Sequence, residues 1–117
     1  MAERPAGRGV ESPELRRLRR RIDALDRRIV KLLNERADLA RGVGQAKVAA
    51  GRRGIRDSER EREILLRVTM ANAGPMPQAD LIALYRRLFA SARALEAADR
   101  RRASRAARIA IEEVGDD

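Results

Sequence analysis

The sequence has no cysteine, no histidine and no tryptophan, and its only aromatic residues are Tyr85 and Phe89. The chain therefore forms no disulfide and lacks thiolate nucleophiles, imidazole acid or base groups and most transition-metal ligands, so we expect no metal. Any chemistry must use Arg, Lys, Asp, Glu or backbone groups. No apolar run reaches membrane-spanning length, and the N-terminus lacks the apolar stretch of a signal peptide. We expect a cytoplasmic protein.

Basic residues are abundant, and the formal net charge is +9. Thirteen basic and five acidic side chains fall within residues 13–53, so the excess lies in the first part of the chain. A basic helix suits nucleic acid, but an anionic small molecule would use the same charge. Of the 27 basic residues only Lys31 and Lys47 are lysine. This chain-wide preference for arginine makes the charge weak evidence for a nucleic-acid partner.

Apolar residues recur at alternating spacings of three and four from Leu15 to Ala46, which predicts one long helix. Ser12 is a favoured N-cap and Pro13 is tolerated at the first helical position. We expect this helix to run to about Ala50, where a glycine-containing loop begins.

Two further helices are predicted. Ser58 with Glu61 forms a capping-box pattern, with Asp57 as the alternative cap, and begins a short second helix. A turn at 74–77 separates it from a long third helix with apolar residues at helical spacing. An Arg/Ala-rich segment, 97–111, could extend the third helix.

A long, a short and a long helix do not make a compact monomer, because at about 1.5 Å per residue the first helix outreaches the second. A second copy would bury the uncovered apolar seam, so we expect an all-α, intertwined helical homodimer. The helical domain should cover residues 13–98. A disordered leader, 1–12, should precede it, and a helical extension with a tail frayed from Glu112 should follow over 99–117.

Arg36 is the one charged residue on this apolar seam. A cation there needs an anion, because its dehydration costs several kcal/mol unless the charge is paired. The anion could be a ligand or an acid from another helix, or the side chain could reach solvent. Lys47 lies eleven residues on, about 16 Å along a helix, so the two could grip a small anion. Arg19, about 42 Å from Lys47, could join them only from an antiparallel partner chain.

Acidic side chains give two further candidate positions. Asp57, Arg60 and Glu61 cluster at the start of the second helix, where free N–H groups favour anions or hydroxyl oxygens, although ordinary capping explains the acids too. Glu96 follows Ala92 on one edge of the third helix, either beside apolar groups or at a solvated rim.

Four short motifs, in this order and with this spacing, resemble the all-α chorismate mutases. They are LRRRIDALD at 18–26, LLNER at 32–36, VGQAK at 43–47 and DSERE at 57–61. The resemblance covers roughly residues 13–98. It implies an intertwined homodimer that rearranges chorismate to prephenate without a cofactor.

The resemblance also implies roles for the basic residues. Arg36 and Arg60, with Arg19 donated by the other chain, would hold the two carboxylates of chorismate. Lys47 would lie near the ether oxygen and one carboxylate. Lys47, Glu96 and Arg36 would be the catalytic residues.

The remaining implied contacts concern the ring hydroxyl and the ether oxygen. Glu61 and the backbone of Asp57 would meet the hydroxyl, and Glu96 would complete the ether-oxygen contact, for which it must be protonated. Ala92 belongs to the implied substrate-binding residues but stands where many members of the family have Ser, which removes one possible hydrogen bond to a carboxylate.

Other functions fit the same residues. Two keep the fold: a mutase of 4-amino-4-deoxychorismate and an isochorismate-pyruvate lyase. A third, from another class, is a nucleic-acid-binding or adaptor protein that uses the basic first helix. An activating synthase is a possible partner, and residues 97–117 would be its docking segment.

Overall fold

The computed structural model describes residues 11–115, which contain three helices and no strand. The helices are α1 (Pro13–Ala49), α2 (Ser58–Ala71) and α3 (Gln78–Gly115), of 37, 14 and 38 residues. The predicted all-α order of long, short and long helix is confirmed. Most of the expected leader and the last two residues of the expected tail lie outside the described residues. None of these three helices is long and apolar enough to cross a lipid bilayer.

The N-terminus of α1 is capped as the sequence predicts. The Ser12 hydroxyl accepts a hydrogen bond from the backbone N–H of Leu15 at 3.1 Å, and Pro13 is the first helical residue. This hydrogen bond satisfies a donor that the first turn of the helix would otherwise leave free.

The C-terminus of α1 closes with a Schellman motif around a left-handed glycine, Gly51, whose φ is 78°. The N–H of Gly51 donates to the Val48 carbonyl at 3.0 Å, and the N–H of Arg52 donates to the Lys47 carbonyl at 2.9 Å. A side chain is strained at such a φ, so glycine suits this reversal of the chain. The motif fixes where the loop leaves the turn that carries Lys47.

The start of α2 resolves the two capping alternatives. The Asp57 carboxylate accepts a hydrogen bond from the N–H of Arg60 at 3.1 Å, so Asp57 is the N-cap and Ser58 is the first helical residue. The capping box of Ser58 and Glu61 does not form. α2 then packs against α3.

α3 continues through the expected extension and is helical to Gly115, past Glu112, where we expected fraying. Every described residue from 101 onward is exposed. From residue 101 onward the described extension is thus a solvent-exposed stretch of helix.

The chain divides into two compact units, residues 1–36 and 37–117. In the second unit Phe89 is 5% exposed, and its ring meets Tyr85 edge to face with centroids 6.3 Å apart. Phe89 is the one hydrophobic side chain that counts as buried among the described residues. In the first unit the large aliphatic side chains of the predicted seam are 38–59% exposed: Leu15, Leu18, Ile22, Leu25, Ile29 and Leu32.

Candidate active site

Lys47 on α1 and Glu96 on α3 are the buried charged residues of the described chain, at 9% and 7% exposure. The Lys47 ammonium donates a hydrogen bond to the Ile55 carbonyl at 3.2 Å. The Oε2 atom of Glu96 is buried and has no hydrogen-bond partner within the described protein. Burial of such groups costs free energy unless they are paired, so their retention points to a use beyond packing.

Gly44 allows Glu96 to lie directly against α1. A Cβ atom at Gly44 would stand 2.7 Å from Cγ of Glu96 and 3.1 Å from Cδ. Carbon atoms in contact prefer about 3.5–4.0 Å, so no side chain fits there without displacement. Gly44 precedes Lys47 by three residues and therefore shares its helix face. Sequence reasoning missed this role, although a glycine inside a long helix is a signal because it costs helix stability.

An ion pair joins α1 to α3 one turn from this contact. Arg41 binds Asp99 with two hydrogen bonds, Nε to Oδ2 at 3.0 Å and Nη2 to Oδ1 at 3.1 Å. The hydrogen bond from Arg41 lowers the pKa of Asp99, against the opposing effect of desolvation, and Arg102 lowers it further through its own hydrogen bond. The same pair raises the pKa of Arg41. Arg41 and Asp99 thus connect α1 to α3 one turn from the Gly44 contact.

Glu61 and Arg60, the two predicted site residues within α2, lie in different surroundings. The Glu61 side chain is 17% exposed and pairs with Arg93 and, at 3.6 Å between Oε1 and Nε, with Arg56. The Arg60 guanidinium is half exposed and donates to Glu63 at 2.7 Å. Glu61 is thus neutralised by two guanidinium groups that sequence reasoning did not assign.

Three other predicted residues have simpler settings. Asp57 is the cap of α2, with its carboxylate 3.8 Å from the Arg52 guanidinium. Ala92 lies half-buried on α3. In the first unit, Arg19 is exposed and pairs with Glu11.

Arg36, also in the first unit, is partly exposed on α1. It is therefore neither fully buried nor a simple surface residue in the single chain. The sequence predicts an anionic partner for its charge, either a ligand or an acidic residue of another helix.

Two cavities border these residues. One of about 490 Å³ is lined by Glu96, Gly44 and Asp99, among others. The other, of about 440 Å³, is lined by residues that include Glu61 and Arg93. Both volumes suit a small molecule. Of these two cavities, Glu96 lines the first and Glu61 the second.

The side chains at these positions offer an ammonium group, guanidinium groups and carboxyl groups. They can bind anions and donate hydrogen bonds to an oxygen that gains negative charge. Within residues 11–115 no group of three or more acidic side chains is placed to hold a metal ion.

Comparison with known proteins places these features in a family. The family model of chorismate mutase type II matches residues 18–97. A bifunctional chorismate mutase/prephenate dehydratase of Aquifex aeolicus is 40% identical over 87 residues, 71% of this chain, and the corresponding protein of Stutzerimonas stutzeri is 36% identical over 90. The chain spans about a quarter of the length of these relatives.

Solved structures agree with this placement. A chorismate mutase of Thermus thermophilus superposes in its form I with a TM-score of 0.64 and 30% identity, covering 68% of this chain and 98% of that one. Form II gives a TM-score of 0.67 and 31% identity, with 71% and 93% covered. The chain belongs to the type II chorismate mutase family, a family of isomerases.

Proposed function

We propose that the protein is a chorismate mutase, which converts chorismate to prephenate by a Claisen rearrangement. The observation that carries the proposal is the burial of Lys47 and Glu96 at the two positions where the family resemblance expects the ether-oxygen contacts. An ammonium and an unpartnered carboxyl group suit an oxygen that becomes negative as its bond to carbon breaks.

The reaction requires only substrate binding and electrostatic stabilisation from the protein. The ether C–O bond breaks while a C–C bond forms within the same molecule, so no proton, electron or group is exchanged with the enzyme. The protein must hold a compact, chair-like conformer and stabilise charge on the ether oxygen. Lys47 supplies a fixed positive donor. Glu96 donates only when protonated, because an ionised carboxylate would repel the developing charge.

The arginines supply the carboxylate clamp in this proposal. Arg36 and Arg60 bind the two carboxylates of the substrate, and Arg19 comes from a second copy of the chain. In the single chain Arg60 pairs with Glu63, and Arg19 pairs with Glu11. The Arg60–Glu63 pair is about half exposed, and such ion pairs contribute little stability, so exchange of Glu63 for a substrate carboxylate costs little.

The exposed seam of the first unit supports a homodimer. Full burial of one aliphatic side chain contributes about 1.5–3 kcal/mol, and six such side chains are about half exposed. A second copy that covers them would add roughly 1 kcal/mol per side chain. Because Phe89 is the one buried hydrophobic residue among the described residues, burial of the seam between two copies would supply much of the stability of the protein.

The ring substituent of the substrate is recognised at the start of α2 in this proposal. Glu61 and the backbone of Asp57 meet the ring hydroxyl in our proposal, but Glu61 could also accept from the amine of 4-amino-4-deoxychorismate. Ala92 offers no side-chain hydrogen bond to a carboxylate. The retained pair of Asp57 and Glu61 favours the mutase over the isochorismate-pyruvate lyase.

Assays of the purified protein with chorismate, isochorismate and aminodeoxychorismate separate these activities. We expect turnover of chorismate with prephenate as the product. Pyruvate release from isochorismate would indicate the lyase, and no turnover of any of the three would overturn the enzyme proposal. A nucleic-acid-binding protein would instead show affinity that falls steeply with salt and that ignores Arg36→Ala.

The partner and the cellular location of the protein stay predictions. An activating synthase that docks on residues 97–117 is part of the proposal, as is a cytoplasmic location. A pull-down with and without these residues tests the docking.

A further inference from the structure

Arg100 connects the third helix to the loop that follows α1. Its Nη1 atom donates to the Arg53 carbonyl at 2.6 Å, and its Nη2 atom lies 3.5 Å from the Arg52 carbonyl. The Nε atom of Arg100 is buried. Arg100 lies beyond residues 18–97, which the family model matches, so the shared family pattern assigns it no role.

The loop that Arg100 contacts also carries the backbone carbonyl that accepts a hydrogen bond from the buried Lys47 ammonium group. It leaves α1 through hydrogen bonds to the Lys47 and Val48 carbonyls, and three residues after Arg52 the Ile55 carbonyl accepts from Lys47 Nζ at 3.2 Å. The side chains around this stretch are largely exposed: 51–54 and Arg56 are all on the surface. Packing therefore restrains the loop weakly, and hydrogen bonds must hold it.

We propose that Arg100 is a positioning residue for the mutase reaction: by holding the 51–56 loop against α3, it keeps the Ile55 carbonyl where it orients the Lys47 ammonium. The proposal rests on the proposed function for its catalytic consequence. Arg100 touches neither substrate nor reacting atoms and acts through Lys47. The extension of α3 thereby contributes to the site through its first turn.

The test compares Arg100→Ala with Arg101→Ala. Arg101 is an exposed neighbour on the same helix, so its variant is the matched control. Displacement of a catalytic group by about 1 Å costs up to 100-fold, so we expect kcat of Arg100→Ala to fall roughly 10- to 100-fold with KM changed less than about threefold. Arg100→Lys retains a donor and should recover part of the loss. Equal kcat values for the Arg100→Ala and Arg101→Ala variants would overturn the proposal.

A second comparison separates positioning from a general effect on folding. If Arg100 acts through Lys47, then Arg100→Ala should lower kcat no further in a Lys47→Ala background. A loss by the same factor in both backgrounds would contradict an action through Lys47.

Amide hydrogen exchange gives a readout that does not depend on turnover. In the intact chain, exchange at 51–56 should accelerate at least about tenfold in Arg100→Ala and stay unchanged in Arg101→Ala. An inactive wild-type chain with this exchange pattern would overturn the proposed function while supporting the hold on the loop. If amide hydrogen exchange at 51–56 is unchanged in Arg100→Ala, then Arg100 does not hold the loop, whatever the activity of the variant.

Discussion

Replacing Gly44 by alanine should displace Glu96 and slow the reaction. The added Cβ would stand 2.7 Å from Cγ of Glu96, and carbon contacts settle at about 3.5–4.0 Å, so one side must move by about 1 Å. Glu96 lines a cavity of about 490 Å³, so its side chain can move away from α1 and its carboxyl group would then leave its present position. A misplacement of about 1 Å at a catalytic group costs about 100-fold in rate, and we expect a loss of kcat of that order.

The effect of Gly44→Ala on stability should be small by comparison. Alanine gains about 0.5–1 kcal/mol over glycine inside a helix, while overpacking costs about 1–3 kcal/mol. The net change should thus be a loss of between about zero and 2.5 kcal/mol in the free energy of unfolding. The variant should stay folded at assay temperature, so a fall in kcat reports on the position of Glu96.

Gly42→Ala is the matched control on the same helix, because a Cβ at Gly42 has nothing within 4 Å. It should gain about 0.5–1 kcal/mol with kcat unchanged. Steady-state kinetics with chorismate and thermal unfolding of both variants check these values. If Gly44→Ala keeps at least half of the wild-type kcat, close packing of Glu96 against α1 is irrelevant to catalysis and the reasoning is refuted.

Three further predictions concern charged groups. Lys47→Ala should lose about 100- to 1000-fold in kcat, about 3–4 kcal/mol of transition-state stabilisation; a loss under tenfold, measured by steady-state kinetics, would contradict its role. Glu96→Gln keeps a hydrogen-bond donor for the ether oxygen and should keep kcat close to that of wild type, whereas Glu96→Ala should lose about 100-fold; equal kcat values for these two variants would remove Glu96 from the mechanism. Asp99 has a lowered pKa in the folded chain, so its pair with Arg41 stabilises the fold above the ordinary Asp pKa of about 3.9 and loses that contribution as pH falls below it. Chemical unfolding of wild type and Asp99→Asn should therefore differ near neutral pH and converge in acid, and a pH-independent difference would be inconsistent with this pair.

Much of the fold follows from local sequence. Ser12 and Pro13 mark the start of α1, and the alternating apolar spacing sets its length. The cap of α2 was ambiguous because Asp57 and Ser58 both carry a side-chain oxygen that can accept from the first turn. The structure selects Asp57, whose carboxylate is the acceptor for Arg60.

Contacts between distant residues could not be predicted in the same way. Arg41 and Asp99 are 58 positions apart, and in a chain so rich in arginine each acid has many candidate partners. The pairing of Glu61 with Arg93 was missed for the same reason. Lys47 was singled out by its spacing from Arg36, and Glu96 by its place on one edge of the third helix. The family resemblance gave both residues their roles, but their burial depends on how α1 packs on α3, which helix periodicity leaves open.

Mixed dimers of two inactive variants test most directly the claim that two chains share each site. Arg19→Ala and Lys47→Ala chains should each be impaired, but a mixed dimer would contain one site with both residues intact. When the two variants are combined at equal amounts and allowed to exchange subunits, we predict recovery of about a quarter of wild-type activity, because half the dimers are mixed and one of their two sites is whole. Activity no higher than the sum of the separate variants, with mixed dimers shown to form, would contradict a shared site.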